Sequence, residues 1–360
     1  MINLQGLTDR PGPNSWPRFL NVMLGTGLVL LTMLLMRELA VVVAPVLMAV
    51  NLLIAAYPIH ARLRAKRLPG WLSATIMLLT VSVILLAMVA GLVWAASAMI
   101  TELPKYSGQW VELYNQVIGL LSRYGIDTTG MSNIMQQINP NSVVSALSSV
   151  LTSATALATV LGAIFVTVVF LGMDTPDMQR RLQLAADDYP RLATSMGGFA
   201  TNVRRYWVWT TVFGLVLGVL DGVALTIMHV PLAPVWALLA FLTNYIPSIG
   251  FVIGLVPPAL FALLDGGPQL ALTVAAIYAV VSVVVLMLIQ PRVVGESVGV
   301  TPTVGFTSLL LWSFVLGPLG ALMALPTTLL LKAIFVDGDP TAAWLDALMS
   351  IDTSPKGGAK

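Results

Sequence analysis

Asp221 is the only Asp, Glu, Lys or Arg between Arg205 and Asp265. An ionisable side chain that deep in an apolar segment is costly. It is kept where it faces protein or water and handles a proton, an ion or a solute. Such a residue also serves as glue between helices or subunits, protonated or paired with an arginine. Upstream, Gly214, Gly218 and Gly222 recur at every fourth position, a small-residue ridge on which another helix packs closely. Asp221 follows Gly214 by seven residues, about 20° away on an ideal helix, so it looks along the ridge toward protein. Coupling chemistry and helix packing are both open for it.

A second candidate stretch is Asn244-Tyr-Ile-Pro247-Ser-Ile-Gly250, continuing through Gly254 to Pro257 and Pro258. It lies in a run from Gly222 to Leu264 that has no Asp, Glu, Lys or Arg. Each proline removes a backbone N–H and clashes with the carbonyl four residues back. In lipid the freed carbonyls need partners, so irregular backbone survives only inside protein or along a wet cavity. Broken helices of this kind build solute and ion sites in transporters; a proline-kinked packing helix is the plainer reading. On the first reading, Pro247→Ala combined with Gly250→Leu leaves the fold intact and closes the site. Gln290, Pro291, Arg292 and Glu296 make a third polar break. Arg292 and Glu296 there form either an ion pair at a membrane boundary or the gate of an aqueous path. Asn51 and Asn244 are suited to hydrogen bonds between helices.

Enzymatic readings find little support. Gly295-Glu-Ser297-Val-Gly299 matches the hydrolase pattern G-x-S-x-G, but no strand precedes it and the only histidines are His60 and His229. There is no phosphate-binding loop for ATP. With no cysteine, disulfides and thiolate metal sites are excluded. No cofactor is expected. The net charge of +2 is small and the basic residues are dispersed or flank apolar spans, which argues against nucleic acid as a partner.

The elements that carry these residues are membrane spans. The chain of 360 residues is 58% hydrophobic and 9% charged, against about 25% charged in soluble domains. The expected fold is all-α and polytopic, with the lipid bilayer as partner and some helices broken by Pro and Gly. Eight spans are expected: Phe19–Met36, Leu39–Ile59, Leu68–Thr101, Val150–Leu171, Tyr206–Met228, a broken span after Pro234 to Leu264, Gln269–Ile289 and Pro302–Leu331. Phe19–Met36 is longer than a signal-peptide apolar core and no small-residue cleavage site follows it, so it reads as a retained first span. Five regions follow: spans one to three over 1–101, an amphipathic helical insertion over 102–149, span four with a basic connector over 150–205, a transport core over 206–336, and a polar tail over 337–360. In the insertion, apolar residues at 110, 114, 117, 121 and 124 keep helical spacing. Asp265-Gly-Gly-Pro268 reads as a turn. Gly250 to Pro257 and Gly320 to Pro326 both read as glycine, apolar run, proline, and paired interruptions point to a binding site in transporters.

The C-terminal half resembles the AI-2E family of bacterial transporters, also called the autoinducer-2 exporter family. The resemblance rests on Asn244-Tyr-Ile-Pro-Ser-Ile-Gly250, Pro257, Gln290-Pro291 with Gly295, Pro302, and Gly317 to Gly320 with Ala324-Leu-Pro326. It covers roughly 200–335, and Ala44-Pro45 with the following basic loop extends it. Thr301 departs from it, since many relatives carry a histidine before the proline, so no proton role is carried over to that position. The resemblance implies an inner-membrane homo-oligomer, a pentamer, that exports autoinducer-2 or exchanges sodium for protons. The alternative is a membrane scaffold without flux.

The loop with Arg62, Arg64, Lys66 and Arg67 and the segment with Arg180, Arg181, Arg191, Arg204 and Arg205 favour the cytoplasm by the positive-inside rule. Eight spans put both termini there and Trp110 outside. Because the chain lacks cysteine, this is checked by single-cysteine variants at Arg64, Arg181 and Trp110 with a membrane-impermeant reagent. The first two are expected to label only from the cytoplasm, the third only from outside.

Overall fold

The computed structural model describes residues 18–123, 140–152, 154–247, 249–290, 301–339, 342, 345 and 349. The first helices are α1 (Arg18–Glu38), α2 (Ala40–Ala65) and α3 (Gly70–Glu102). A single 3₁₀ turn, Leu103–Tyr106, leads into α4 (Ser107–Arg123). Then come α5 (Pro140–Thr152), α6 (Ala154–Asp188), α7 (Pro190–Ile227) and the short α8 (Ala233–Thr243). The chain closes with α9 (Gly250–Ser282), wider π-type turns over Val283–Ile289, α10 (Pro302–Leu322) and α11 (Ala324–Lys332). No strand occurs among the described residues. The fold is all-α and polytopic. Among the described residues, six helical stretches are long and apolar enough by length and composition to cross a membrane, two of which, Gly250–Ile289 and Pro302–Leu322, contain a non-helical glycine; Thr159–Asp174 and Ala233–Thr243 are shorter apolar helices. Along α1, Leu30 and Leu35 stand exposed, as a lipid-facing helix requires. On α4, Trp110 and Leu113 pack against a cluster around Trp236 and Phe261, while Val111 and Leu120 point outward.

The eight-span count is not reproduced, because two of the expected single spans are hairpins. In the first, α8 runs back along α7: a Cβ on Gly222 would meet Ala237, and one on Gly214 would meet Phe241 and Asn244. The chain turns after Thr243, and α9 returns along α8, with Gly250 and Gly254 against Thr243 and Phe261 against Trp236. The 11 residues of α8 rise only about 16 Å, too little to cross a hydrocarbon layer of about 30 Å alone. Pro257 and Pro258 stand inside the helical limb after the break; the break itself is confined to 244–249.

Gly267 (φ 76, ψ −171) and Gly317 (φ 66, ψ −149) occupy backbone conformations that only glycine adopts readily. Each is followed by a proline, Pro268 or Pro318, whose fixed φ suits the first position of the next helical limb. At Gly267 the chain reverses, as expected of the 265–268 turn, and the limb 268–282 runs back beside 250–266. At Gly317 it reverses again, inside the expected eighth span. There Trp312 donates to Thr328 at 2.9 Å and Thr328 donates to Ser308 at 2.8 Å, pairings that require antiparallel limbs.

The two hairpins enter from opposite ends of the bundle. The first opens where α7 finishes, near the contact of Tyr106 with Phe261. The second opens where α7 begins, with Gly338 against Leu192. Arg204 lies at that same end, donating to Ile54 O at 3.4 Å and covering the Tyr57 ring. Two glycines follow the two tips in equivalent places: a Cβ on Gly250 would overlap the Thr243 carbonyl oxygen, and one on Gly320 the Trp312 carbonyl oxygen. The Gly250→Leu change is therefore not neutral to the fold, contrary to expectation, since backbone blocks any side chain. We predict that Gly320→Ala lowers stability by about 1–3 kcal/mol through overpacking. Gly27→Ala, in open space on α1, stays within about 0.5 kcal/mol. Thermal unfolding in detergent measures both, and equal midpoints would refute the close crossing at Gly320.

Candidate functional site

The glycine ridge of α7 sets the position of the site. A Cβ on Gly218 would sit 2.7 Å from the Ala237 carbonyl oxygen, and one on Gly222 2.7 Å from the Ala237 Cβ. Without side chains there, α8 settles directly on α7. The same register turns Asp221 inward, where it is 2% exposed. It lines a chamber of about 30 Å³ together with Thr243, Gly254 and Tyr278. Among the described residues no salt bridge involves Asp221, and its Oδ1 has no hydrogen-bond partner.

Next to the chamber, toward the Arg204 end, is a vestibule of about 550 Å³. Its polar and aromatic lining comes from Tyr206, Trp209, Asn244, Ser282 and Gln290, and Leu325 of the second hairpin closes one side. Asn244, Gly250, Phe251, Ser282 and Leu286 line both spaces, which makes the chamber the inner end of the vestibule. The irregular tip between them keeps its backbone satisfied. Asn244, Tyr245 and Ile246 donate their amides to Ala240, Leu242 and Thr243, and the Asn244 side chain donates to Thr210 O at 2.9 Å. Tyr206 donates to Tyr245 O at 3.3 Å, and the Tyr245 and Thr211 hydroxyls lie 2.8 Å apart. The tip is thus pinned to α7, about one turn from Arg205.

Of the sequence candidates, the structure brings Asp221, Asn244, Pro247, Gly250 and Gln290 to these two connected spaces. Gly214, Gly218 and Gly222 face α8. Pro257 lines neither space. Pro291, Arg292 and Glu296 lie outside the described residues, as does the segment 295–299. Asn51 accepts from Trp207 at 3.4 Å and donates to Leu47 O at 2.8 Å, a bond between α2 and α7 away from the vestibule. Sequence reasoning missed Tyr278, Ser282 and Trp209. The signal was present: positions 278, 282 and 290 are the polar ones after Thr273 and are spaced by multiples of four. The π-type turns over 283–289, a feature frequent at functional sites, carry Gln290 into the vestibule.

No group of three or more metal-ligating side chains occurs among the described residues. Two hairpins from opposite ends, a solute-sized cavity between them and a lone carboxyl at its inner end define a carrier-type membrane protein. The AI-2E transporter family matches residues 22–338, and the chain belongs to that family. It is similar to the AI-2 transport protein TqsA of Escherichia coli, 28% identical over 87% of this chain and 91% of that protein. A Haemophilus influenzae protein named as a candidate transport protein is 26% identical over 89% of this chain and 93% of its own length. The Escherichia coli protein YhhT, also named as a candidate transport protein, is 31% identical over 72% and 74%. The family is one of transporters, not enzymes, and the protein is a multi-pass membrane transporter of a small solute.

The vestibule makes a graded prediction. Single cysteines at Gln290, Ser282 and Leu217 should react with a water-soluble maleimide in that order of rate, with Leu217→Cys protected. Equal rates at all three positions would show that the chamber is not an inner end.

Proposed function

We propose that this protein is a secondary transporter of the bacterial inner membrane that carries a small polar solute of the autoinducer-2 kind through the vestibule, driven by an ion handled at Asp221. The observation that carries the reading is the state of Asp221. A carboxyl that merely held helices together would show its partner, yet this one is buried, faces a cavity and has an oxygen left unpaired. Intramembrane ionisable groups of this kind mark ion and proton pathways.

The vestibule supports a solute as cargo. About 550 Å³ lies within the range of small-molecule sites, roughly 300–1,000 Å³, and far exceeds what a bare ion needs. Among the described residues the side chains lining it carry no charge, so they suit a neutral or weakly polar molecule that hydrogen-bonds to amides and stacks on aromatic rings. The relative TqsA is named for AI-2 transport. Arg64, Arg204 and Arg205 lie toward the vestibule end of the bundle, which the positive-inside rule assigns to the cytoplasm. On this reading the vestibule receives cargo from the cell interior, as an exporter does.

Purified protein in proteoliposomes, loaded with a pH-sensitive dye and supplied with autoinducer-2 under imposed sodium and potassium gradients, tests this. The wild type is expected to move solute with an accompanying ion flux. Asp221→Asn keeps the size and hydrogen bonding of the side chain, so the protein assembles, while gradient-driven flux falls to the background of empty vesicles. A correctly assembled Asp221→Asn protein with unchanged flux and pH profile would reduce Asp221 to a packing residue, held by a bond of about 1 kcal/mol that the amide replaces.

A further inference from the structure

Two residues that line the inner chamber each carry a buried polar atom without a partner, Oδ1 of Asp221 and the hydroxyl of Tyr278. Both side chains are 2% exposed, and they come from different elements, α7 and the returning limb of α9. The polar groups of the hairpin tip beside them are already engaged. Thr243 donates its hydroxyl to Ala240 O at 3.4 Å, and the Asn244 amide is held by Thr210 O. The carbonyls of Ala240, Leu242 and Thr243 accept the tip's own amides. Buried polar groups are paired as a rule, so two orphans facing one chamber point to something that comes and goes.

We propose that Asp221 and Tyr278 form a site for a single proton, bridged by one water, and that this proton, not an alkali cation, is the ion coupled to transport. The proposal rests on the reading of Asp221 as the coupling group. Space supports it first. About 30 Å³ exceeds the roughly 10–15 Å³ that one water requires, so the chamber admits a water but not a cation that keeps its hydration shell. Hard cations bound by protein take about six or more oxygen ligands. Here Asp221 is the only carboxylate among the described residues of the wall, and Thr243 and the Asn244 side chain are already tied to the main chain.

The chemistry of the pair suits a proton. A phenol both donates and accepts. When Asp221 is protonated, its O–H donates to the bridging water, and the water donates to the Tyr278 oxygen. When Asp221 is ionised, the Tyr278 O–H donates to the water, and the water donates to the carboxylate. The hydrogen-bond chain reverses direction but never breaks, and the departing proton leaves through water to the vestibule side at Ser282. Among the described residues no other titratable side chain lines the chamber, and α8 contributes none. Arg204 and Arg205 stand at the other end of the vestibule, and Asp265 bonds Tyr106 at 3.4 Å near the opposite end of the bundle. Tyr278 is therefore the group that sets how Asp221 holds its proton.

Difference infrared spectroscopy on the full-length protein in lipid tests this without a known cargo. The probe is the C=O stretch of a protonated carboxyl, followed as pH is raised. The wild type is expected to lose such a band, Asp221→Asn to lack it, and Tyr278→Phe to keep it at a displaced frequency and midpoint because its water chain has lost an end. Tyr278→Phe removes only a hydroxyl, so it serves even where Asp221→Asn assembles poorly. Sodium or lithium added at fixed pH should leave the band unchanged. Loss of the band to sodium at fixed pH, or a band that Tyr278→Phe does not move, overturns the proposal. A band that behaves as expected with flux unchanged in Asp221→Asn overturns the coupling reading alone. Loss of flux without any Asp221-dependent band overturns the proton site alone.

Discussion

The structure depends on the near-contact of two helix backbones, α7 and α8. Helices in lipid gain little from hiding apolar surface, because lipid tails are as apolar as leucine, so they associate through close packing. The ridge Gly214, Gly218, Gly222 supplies that closeness: any Cβ at Gly218 or Gly222 would run into Ala237. With α8 lowered onto α7, its C-terminal end arrives beside Thr210, where the Asn244 amide bonds the main chain. The hairpin tip is then fixed in height, and so is α9, which must return from it. Asp221, one position before the last glycine, has no choice but to face the seam. The acid and the packing ridge belong to one helical face, which is why they cannot be assigned to separate roles by position alone.

A second constraint acts at the tips. An apolar medium offers no water to a loose amide or carbonyl, so irregular backbone must be satisfied by protein or by a wet cavity. The turn at the first tip meets this with its own amides and with the Tyr206 hydroxyl, which donates to Tyr245 O. The Gly317 turn meets it with a conformation only glycine takes, and a buried chain of Trp312, Thr328 and Ser308 ties its two limbs below. Because one hairpin enters from each end, these irregular segments do not stack on one surface. The first tip leaves open space on its α7 side, between Tyr206 and the returning limb, and that space is the vestibule.

Much of this was legible in the residues. Apolar length and the scarcity of charge gave the all-α membrane class. The four-residue repeat gave the glycine face, and Asp265-Gly-Gly-Pro268 gave a turn. The direction of travel was not legible. Hydropathy measures how apolar a segment is, not whether the chain continues or comes back, so α8 and the limb after it read as one interrupted span. Gly317-Pro318 carries the same dipeptide as Gly267-Pro268, but no charge flanks it, and an uncharged turn inside an apolar run has no contrast. Pro257 stands inside a helix, while the reversal comes before that helix begins. Tyr278 and Ser282 escaped notice because each is common in spans, and only their shared spacing with Gln290 and their facing of Asp221 give them meaning.

The inner chamber also explains why a stable fold keeps an uncomfortable site. Each buried polar group left unpaired costs about 1–3 kcal/mol, and Asp221 and Tyr278 both carry that penalty in one small space. Packing alone could remove it, since a leucine at either position would fill the seam with no loss of closeness between α7 and α8. A species that satisfies both then binds with the free energy of relieving the penalty, and its departure restores it. The chamber and the larger vestibule share Asn244, Gly250 and Ser282 in their walls, so a shift of the hairpin tip alters the shape of both spaces at once.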